Sequence, residues 1–212
     1  MPPKNSKITK VKNTLPEVEG FEAEVVRIDT NYYKIHIPKF PSHVKLTDRR
    51  RKKKKKGEEE GEKSPLIDIP RYTKINGQYL YNGTWNAFQR KRVFDVMHAF
   101  IKDSIEKGLK KKKISLSFPI NIELEIHTTK WHGGIKVLNG KFIYPIETSK
   151  SNSSWDIGNL GFAWSKAIDD CLRDLGIIPD DSIDFVRSTG KITFVPVKDY
   201  DKRKLVIILK NH

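Results

Sequence analysis

Cysteine is almost absent from this chain, since Cys171 is the single cysteine among 212 residues. One cysteine cannot form an internal disulfide, so a disulfide-stapled scaffold is excluded and a reducing compartment is expected. Long apolar runs are also missing: nothing approaches the about 20 residues of a membrane-spanning helix, and no apolar signal segment follows Met1. No internal repeat is visible. We therefore expect one domain with extensions, without a membrane partner, in the cytoplasm.

Acidic residues are in deficit overall, with 26 Asp and Glu against 41 Lys and Arg, a net charge of +15 and a pI near 9.7. Such an excess favours a polyanionic partner, and DNA or RNA is the usual one. Eight consecutive basic residues run from Arg49 to Lys56, inside a segment, 48–64, that we expect to be a disordered loop. The alternatives are a solvated loop neutralised by the glutamates that follow, or a nuclear address, which we consider the weaker interpretation. The residues predicted to bind nucleic acid here and elsewhere are Arg49, Arg50, Arg51, Lys52, Lys53, Arg90, Lys91, Arg92, Lys111 and Lys112.

Carboxylates are nevertheless concentrated around one predicted helix, within residues 151–182. Steps of three and four give this helix an apolar stripe and a separate polar stripe. Ser154 or Asp156 can cap its first turn, and Gly176 suits a left-handed C-terminal cap. The apolar stripe is Leu160, Ala163, Trp164, Ala167, Ile168, Cys171, Leu172 and Leu175, and the polar stripe is Asn159, Lys166, Asp170 and Arg173.

Asp156 precedes the helix, and the pair Asp180–Asp181 follows it on a turn that Pro179 forces away from the helix axis. Two carboxylates about 4 Å apart repel by about 4 kcal/mol at an effective dielectric near 20, and a bound cation is the usual remedy. Magnesium takes oxygen ligands, often one or two carboxylates with waters and substrate phosphates. Lys166 could then offset charge on a phosphate. The alternative is a helix cap at Asp156 and a solvated turn at Asp180–Asp181.

At these positions the sequence resembles the RusA-type Holliday junction resolvases, small dimeric magnesium-dependent endonucleases. Their pattern is Asp-x-Asp-Asn, a Lys on the following helix, a Lys-x-x-x-Asp-x-Leu helix body, then Gly and an Asp-Asp pair. The matching positions here are Asp156, Asn159, Lys166, Asp170, Leu172, Gly176, Asp180 and Asp181.

The resemblance has two departures. Gly158 stands where the family usually carries its second Asp, and four extra residues, about one helical turn, separate Asn159 from Lys166. The extra turn keeps both residues on one helix face. Asp170 is our candidate for the replacement ligand.

The resemblance implies Mg²⁺-dependent hydrolysis at four-way DNA junctions by a homodimer that makes paired symmetric nicks, with Mn²⁺ as a substitute ion and no small-molecule substrate. Asn159 would orient the loop or the phosphate. A host that is prokaryotic or phage-infected is implied as well. The expected catalytic residues are Asp156, Lys166, Asp180 and Asp181, and the expected metal ligands are Asp156, Asp170, Asp180 and Asp181.

Two further hypotheses stay open. A basic nucleic-acid-binding protein without chemistry explains the lysines equally well, and Gly158 in place of an aspartate favours it. A structural module whose charge serves solubility explains the acidic stretch poorly. His127 and His132 lie near Glu123 and Glu125, but their spacing matches no zinc pattern.

The fold class predicted is α+β: a mixed β-sheet with two main α-helices on one face, a basic loop and a β-hairpin insertion. A flexible tail at 1–18 would precede one nuclease domain at 19–212. Asn76-Gly77 and Asn139-Gly140 are hairpin signals, the second inside an insertion at 128–150. Thr84 should cap a helix from about Trp85 to Lys107 that Gly108 ends, with Phe88 on its apolar face. Strands are predicted at 21–28, 32–37, 120–126, 185–189, 191–197 and 204–209.

Overall fold

The computed structural model describes residues 19–41, 43–51, 66–75, 80, 86–110, 113–129, 134–138, 141–146 and 157–211. The predicted tail at 1–18 and most of the predicted basic loop lie outside these ranges. Within them, no helix is long and apolar enough to cross a membrane.

The described elements combine strands with two helices, as predicted. In chain order they are β1 (Glu24–Asp29), β2 (Tyr32–Pro38), β3 (His43–Arg51), β4 (Leu66–Lys74), α1 (Ala87–Leu109), β5 (Ile120–Thr128), β6 (Gly134–Leu138), β7 (Lys141–Ile146), α2 (Ile157–Asp174), β8 (Val186–Pro196), a 3-10 turn (Tyr200–Lys202) and β9 (Lys204–Asn211). Five strands form one sheet in the order β1-β2-β9-β5-β8, with β5 and β8 parallel and the other neighbours antiparallel. The predicted α+β class with a mixed sheet is confirmed.

Strand β9 lies at the centre of the sheet because it is apolar on both faces. Leu205, Ile207 and Leu209 pack into the main core with the helices. Val206 and Ile208 face the other side, and they are buried as well. There Ile208 lies opposite Glu123, whose carboxylate pairs with Lys210 at 2.8 Å. The continuous apolar sequence of β9 is typical of a central strand that is buried on both faces.

The first helix starts two residues later than predicted. Asn86, not Thr84, is its N-cap, and the Asn86 side chain accepts a hydrogen bond of 2.8 Å from the Gln89 backbone N–H. The helix continues through Gly108 to Leu109. Phe88, which the helical period predicts on the apolar face, is exposed, because the buried stripe of this helix begins only at Val93.

Four strands lie outside the five-stranded sheet, in two separate pairs, β3 with β4 and β6 with β7. Strand β3 pairs with β4, so Arg49–Arg51 lie opposite Leu66–Asp68 and are not part of a disordered loop. The predicted hairpin signal Asn76-Gly77 lies outside the described residues. The hairpin predicted at Asn139-Gly140 is confirmed by β6 and β7, which pair with Leu138 opposite Lys141.

Strand β8 replaces the two strands predicted at 185–189 and 191–197. Its pairing with β5 shifts register twice, and the second shift falls at Gly190, where φ is +96°. A bulge at a glycine with positive φ lets one strand continue through a position that breaks the alternation of side chains.

Candidate functional site

Helix α2 is anchored to the core by the stripe predicted for it. Trp164 is fully buried and meets Phe40 and Phe100 edge to face, with ring centroids 5.6 and 6.3 Å apart. Core packing is therefore its role. Burial raises the pKa of Cys171 to about 12, which identifies this thiol as an inert core group.

The C-terminal end of α2 directs the acidic turn back toward the helix. The Gly176 N–H donates to the Arg173 carbonyl at 2.9 Å, and the Ile177 N–H donates to the Leu172 carbonyl at 2.9 Å. With φ of +65° at Gly176, this is a Schellman cap, which reverses the chain direction. The predicted glycine cap is confirmed, and Asp181 is returned to the helix face.

The polar stripe of α2 forms a chain of ion pairs. Lys166 Nζ lies 2.9 Å from Asp170 Oδ1, and Arg173 Nη2 lies 3.5 Å from the same oxygen. Arg173 Nη1 lies 3.8 Å from Asp181 Oδ1. Two predicted metal ligands, one on the helix and one on the connector, therefore meet at a single guanidinium beside the predicted catalytic lysine.

Asp169, which was not among the predicted site residues, belongs to the same cluster. Its Oδ2 accepts a hydrogen bond of 3.1 Å from Thr189 Oγ1 on β8, while its Oδ1 is buried without a hydrogen-bond partner among the described residues. Burial is the main cause that raises the pKa of Asp169 to about 6; Asp170 and Asp181 act in the same direction, and Thr189 and Lys166 in the opposite one. Its position on the flank of the apolar stripe, next to a second aspartate, was the available signal.

The other predicted site residues lie near the start of α2 or on the turn after its end in the sequence. Asp180 accepts a hydrogen bond of 2.9 Å from the Asp181 backbone N–H, so it shapes the turn while remaining exposed. Asn159 is half-buried in the first turn of α2, about two turns before Lys166. Asp156 lies outside the described residues. Gly158, at the position of the missing carboxylate, is exposed.

The donor chemistry of this cluster fits a hard divalent ion. Over the described ranges, no three His, Cys, Asp or Glu side chains form a group that could hold a metal by themselves. Magnesium, however, commonly takes one or two carboxylates and completes its shell with waters and substrate phosphates. The carboxylates of Asp170 and Asp181 are two oxygen donors of this kind. We refer to Lys166, Asp169, Asp170, Arg173 and Asp181 as the α2 cluster.

The histidines near the sheet form no part of this cluster. His127 Nε2 lies 3.2 Å from Glu125 Oε2, and Glu123 pairs with Lys210 and Lys191. The lysine contacts lower the pKa of Glu123, above all through the hydrogen bond from Lys210. Glu123 is thus held by lysines and His127 by Glu125, while His132 lies outside the described residues.

The predicted nucleic-acid contacts are divided among several segments. Arg90, Lys91 and Arg92 follow the cap of α1, where Lys91 pairs with Asp95 at 3.0 Å and the Arg92 guanidinium lies over the Phe88 ring. Arg49–Arg51 lie on β3. Lys52, Lys53, Lys111 and Lys112 fall outside the described residues.

Comparison of the chain with models of known protein families, with curated proteins and with solved structures finds no match in any of the three. The resemblance to the RusA-type resolvases therefore stays a prediction from the residues quoted for it.

Proposed function

We propose that the protein is a magnesium-dependent endonuclease that cuts branched DNA, such as four-way junctions, by paired symmetric nicks as a homodimer. The observation that carries the proposal is the convergence of Asp170 and Asp181 on Arg173, beside Lys166 and the half-buried Asp169. Basic residues outnumber acidic ones in this chain, whose net charge is +15. A group of carboxylates in such a chain is explained if they bind the metal ion of phosphodiester hydrolysis.

In this proposal Asp170 and Asp181 hold the ion together with Asp156, and Asp180 fixes the turn that presents Asp181. Bound magnesium supplies Lewis-acid polarisation of a phosphoryl oxygen and lowers the pKa of water. Lys166 and Arg173 attract the phosphate and stabilise the charge that develops on it. Both cations now pair with carboxylates, so metal binding would leave them available to the phosphate. A two-fold dimer would present two such clusters to the two symmetric strands of a junction.

A specific observation also favours a second function, nucleic-acid binding without chemistry. Lys166 and Arg173 already offset the charge of Asp170 and Asp181, so these two carboxylates are paired without an ion. Gly158 stands in place of the family's second aspartate. A protein with such a site would hold junctions and leave them uncut.

The test uses the full chain, a mobile four-way junction, magnesium and an excess of duplex competitor. We expect paired symmetric nicks from the wild type. Asp181→Asn should abolish nicking and keep junction binding, because the amide has no negative charge for the ion while the basic surface is unchanged. Asp184→Asn is the matched control: it removes one exposed carboxylate three residues away on the same connector and should cut normally.

Nicking by Asp181→Asn at the wild-type rate would refute the assignment of this residue. Tight junction binding by the wild type without nicks, in magnesium and in manganese, would establish the second function instead.

A further inference from the structure

Phe88 is a large apolar side chain that the fold leaves in water. It lies in the first turn of α1 and is 66% exposed, compared with 45% for Phe21. Single exposed apolar residues are common and need no explanation by themselves. The surroundings of Phe88 are what make it informative.

Basic residues follow this ring along the helix. The Arg92 guanidinium carbon lies 5.7 Å from the Phe88 ring centroid, one helical turn away, in the range of a cation–π contact. Arg90 and Lys91 occupy the same stretch, and the first turn of the helix holds no acidic residue. Asp95, which pairs with Lys91, is the acidic residue that follows, so positive charge is in excess around an exposed aromatic ring.

A second exposed ring on the same protein provides the contrast. Phe21 also has a cation over its face, with Lys39 Nζ 5.3 Å from the ring centroid. Its sequence neighbours, however, are Glu19, Glu22 and Glu24. Both rings have a cation over one face, but glutamates flank Phe21 in sequence while Arg90, Lys91 and Arg92 follow Phe88, so a polyanion is attracted more strongly to Phe88.

We propose that Phe88 and Arg92 form a stacking site for an unpaired nucleobase of DNA, with Arg90 and Lys91 contacting the adjacent phosphates. Every base has a π-face, so stacking on an aromatic ring tolerates any sequence. In a duplex these faces are covered by neighbouring base pairs. The site therefore selects single-stranded or opened DNA, as at the centre of a branch. This inference rests on the proposed function in taking DNA as the ligand.

The experiment measures binding by fluorescence anisotropy in EDTA, so that cleavage plays no part. The probes are a short oligothymidine, an abasic chain of the same length and a duplex of the same length. Wild-type protein should prefer oligothymidine to the abasic chain, because only the former can stack.

Phe88→Leu keeps an apolar side chain but removes the π-face, and should weaken oligothymidine binding about tenfold, which corresponds to one base–aromatic stack. Phe88→Trp should retain binding, and Phe21→Leu is the matched control that should change nothing. Duplex binding should be the same in all four proteins. Because both rings are exposed, all variants should fold, which their thermal melting checks.

Equal wild-type affinity for oligothymidine and the abasic chain overturns the stacking site without any variant. So does Phe88→Leu binding oligothymidine as tightly as the wild type, or losing duplex and single-strand affinity equally. The nuclease proposal survives each of these outcomes, since it is measured by nicking. A wild type that binds no DNA at all overturns both proposals.

Discussion

At the scale of single residues, Asp169 is the member of the α2 cluster whose charged form destabilises the fold. Its carboxyl is half-buried at the junction of α2 and β8, and burial raises its pKa to about 6. Its Oδ1 has no hydrogen-bond partner among the described residues. A buried carboxylate that destabilises the fold at neutral pH is characteristic of functional sites, where polar groups are positioned for a ligand.

Asp169→Asn should therefore stabilise the protein at neutral pH. The folded-state pKa is raised, so the folded protein retains a proton that the unfolded chain releases, and stability is lost as pH rises from about 4 to about 6. Above that window the ionised Asp169 costs about 1–2 kcal/mol after allowance for its partial exposure. Urea unfolding in EDTA at pH 7.5 should show this gain for the variant, and the gain should vanish near pH 4.

Asp170→Asn, one residue along, is the control of opposite sign, because it breaks the ion pairs with Lys166 and Arg173. A loss of stability by Asp169→Asn of equal size at both pH values would show that Asp169 is a structural hydrogen-bonding residue and not a strained site group.

At the scale of elements, the position of α2 is set by close contact with the sheet. A Cβ added at Gly161 would lie 2.9 Å from Ile192 Cδ1 and 3.0 Å from Ile192 Cγ2, closer than ordinary contact allows. Thr189, on the same strand β8, donates a hydrogen bond from its hydroxyl to Asp169 Oδ2. The packing that accommodates Gly161 therefore also determines where the α2 cluster meets the sheet.

Gly161→Ala should be less stable than Gly158→Ala by about 1–3 kcal/mol, the usual cost of an added methyl in a packed contact. Both changes place alanine, the residue with the highest helix propensity, in α2. The difference in stability between the two variants therefore reports the packing at Gly161. Gly158 is exposed and its variant should match or exceed the wild type. Denaturant unfolding measures this difference in stability. Equal stability of the two variants would mean that Ile192 moves aside at no cost, contrary to the stiff χ1 expected of a β-branched side chain.

At the scale of the whole molecule, charge is distributed unevenly. The chain carries +15 overall, yet described carboxylates gather at the α2 cluster and along the sheet face around Glu123. Basic residues on β3 and on the first turns of α1 lie on other elements. This separation suits a protein that holds a polyanion broadly and acts on it at one place.

DNA affinity should fall steeply with salt. If about 6–10 phosphates are contacted, affinity drops about 10³–10⁵-fold between 50 and 200 mM salt. Replacing Arg49, Arg50 and Arg51 together by Gln should reduce the slope of log affinity against log salt by about 0.9 for each phosphate that the protein no longer neutralises. Substitution is preferable to deletion, because these residues pair with β4.

Lys202→Gln is the matched control for this measurement. Lys202 Nζ already pairs with Asp199 at 2.9 Å, so its replacement should leave the slope unchanged. A flat salt profile for the wild type would contradict phosphate contact altogether.

Much of this fold was predictable because periodicity reports burial directly. The apolar stripe of α2, the cap at Gly176 and the central position of the last strand all follow from the spacing of side chains along one segment. The polar stripe placed Lys166, Asp170 and Arg173 on one face, and their ion pairs confirm it. In each case the residues that interact lie within one element or its immediate end.

Predictions failed where partners are distant in sequence or where two local signals compete. Thr84 and Asn86 are both good caps by residue type, and Asn86 is the one that accepts the Gln89 backbone N–H. The arginines at 49–51 fit a disordered basic run by composition, but pairing with β4 makes them strand residues. Phe88 fits the helical period and is still exposed, since the buried face of α1 begins only at Val93.

The sequence by itself determined the α+β class, the net charge and the two faces of α2, because each depends on composition or on spacing within a segment. Only the tertiary structure decided that Asp181 returns to Arg173 and that Asp169 is half-buried against Thr189. The reason is physical: the pKa and the partners of a carboxylate depend on which chain segments exclude water from it, and those segments are brought together only by folding.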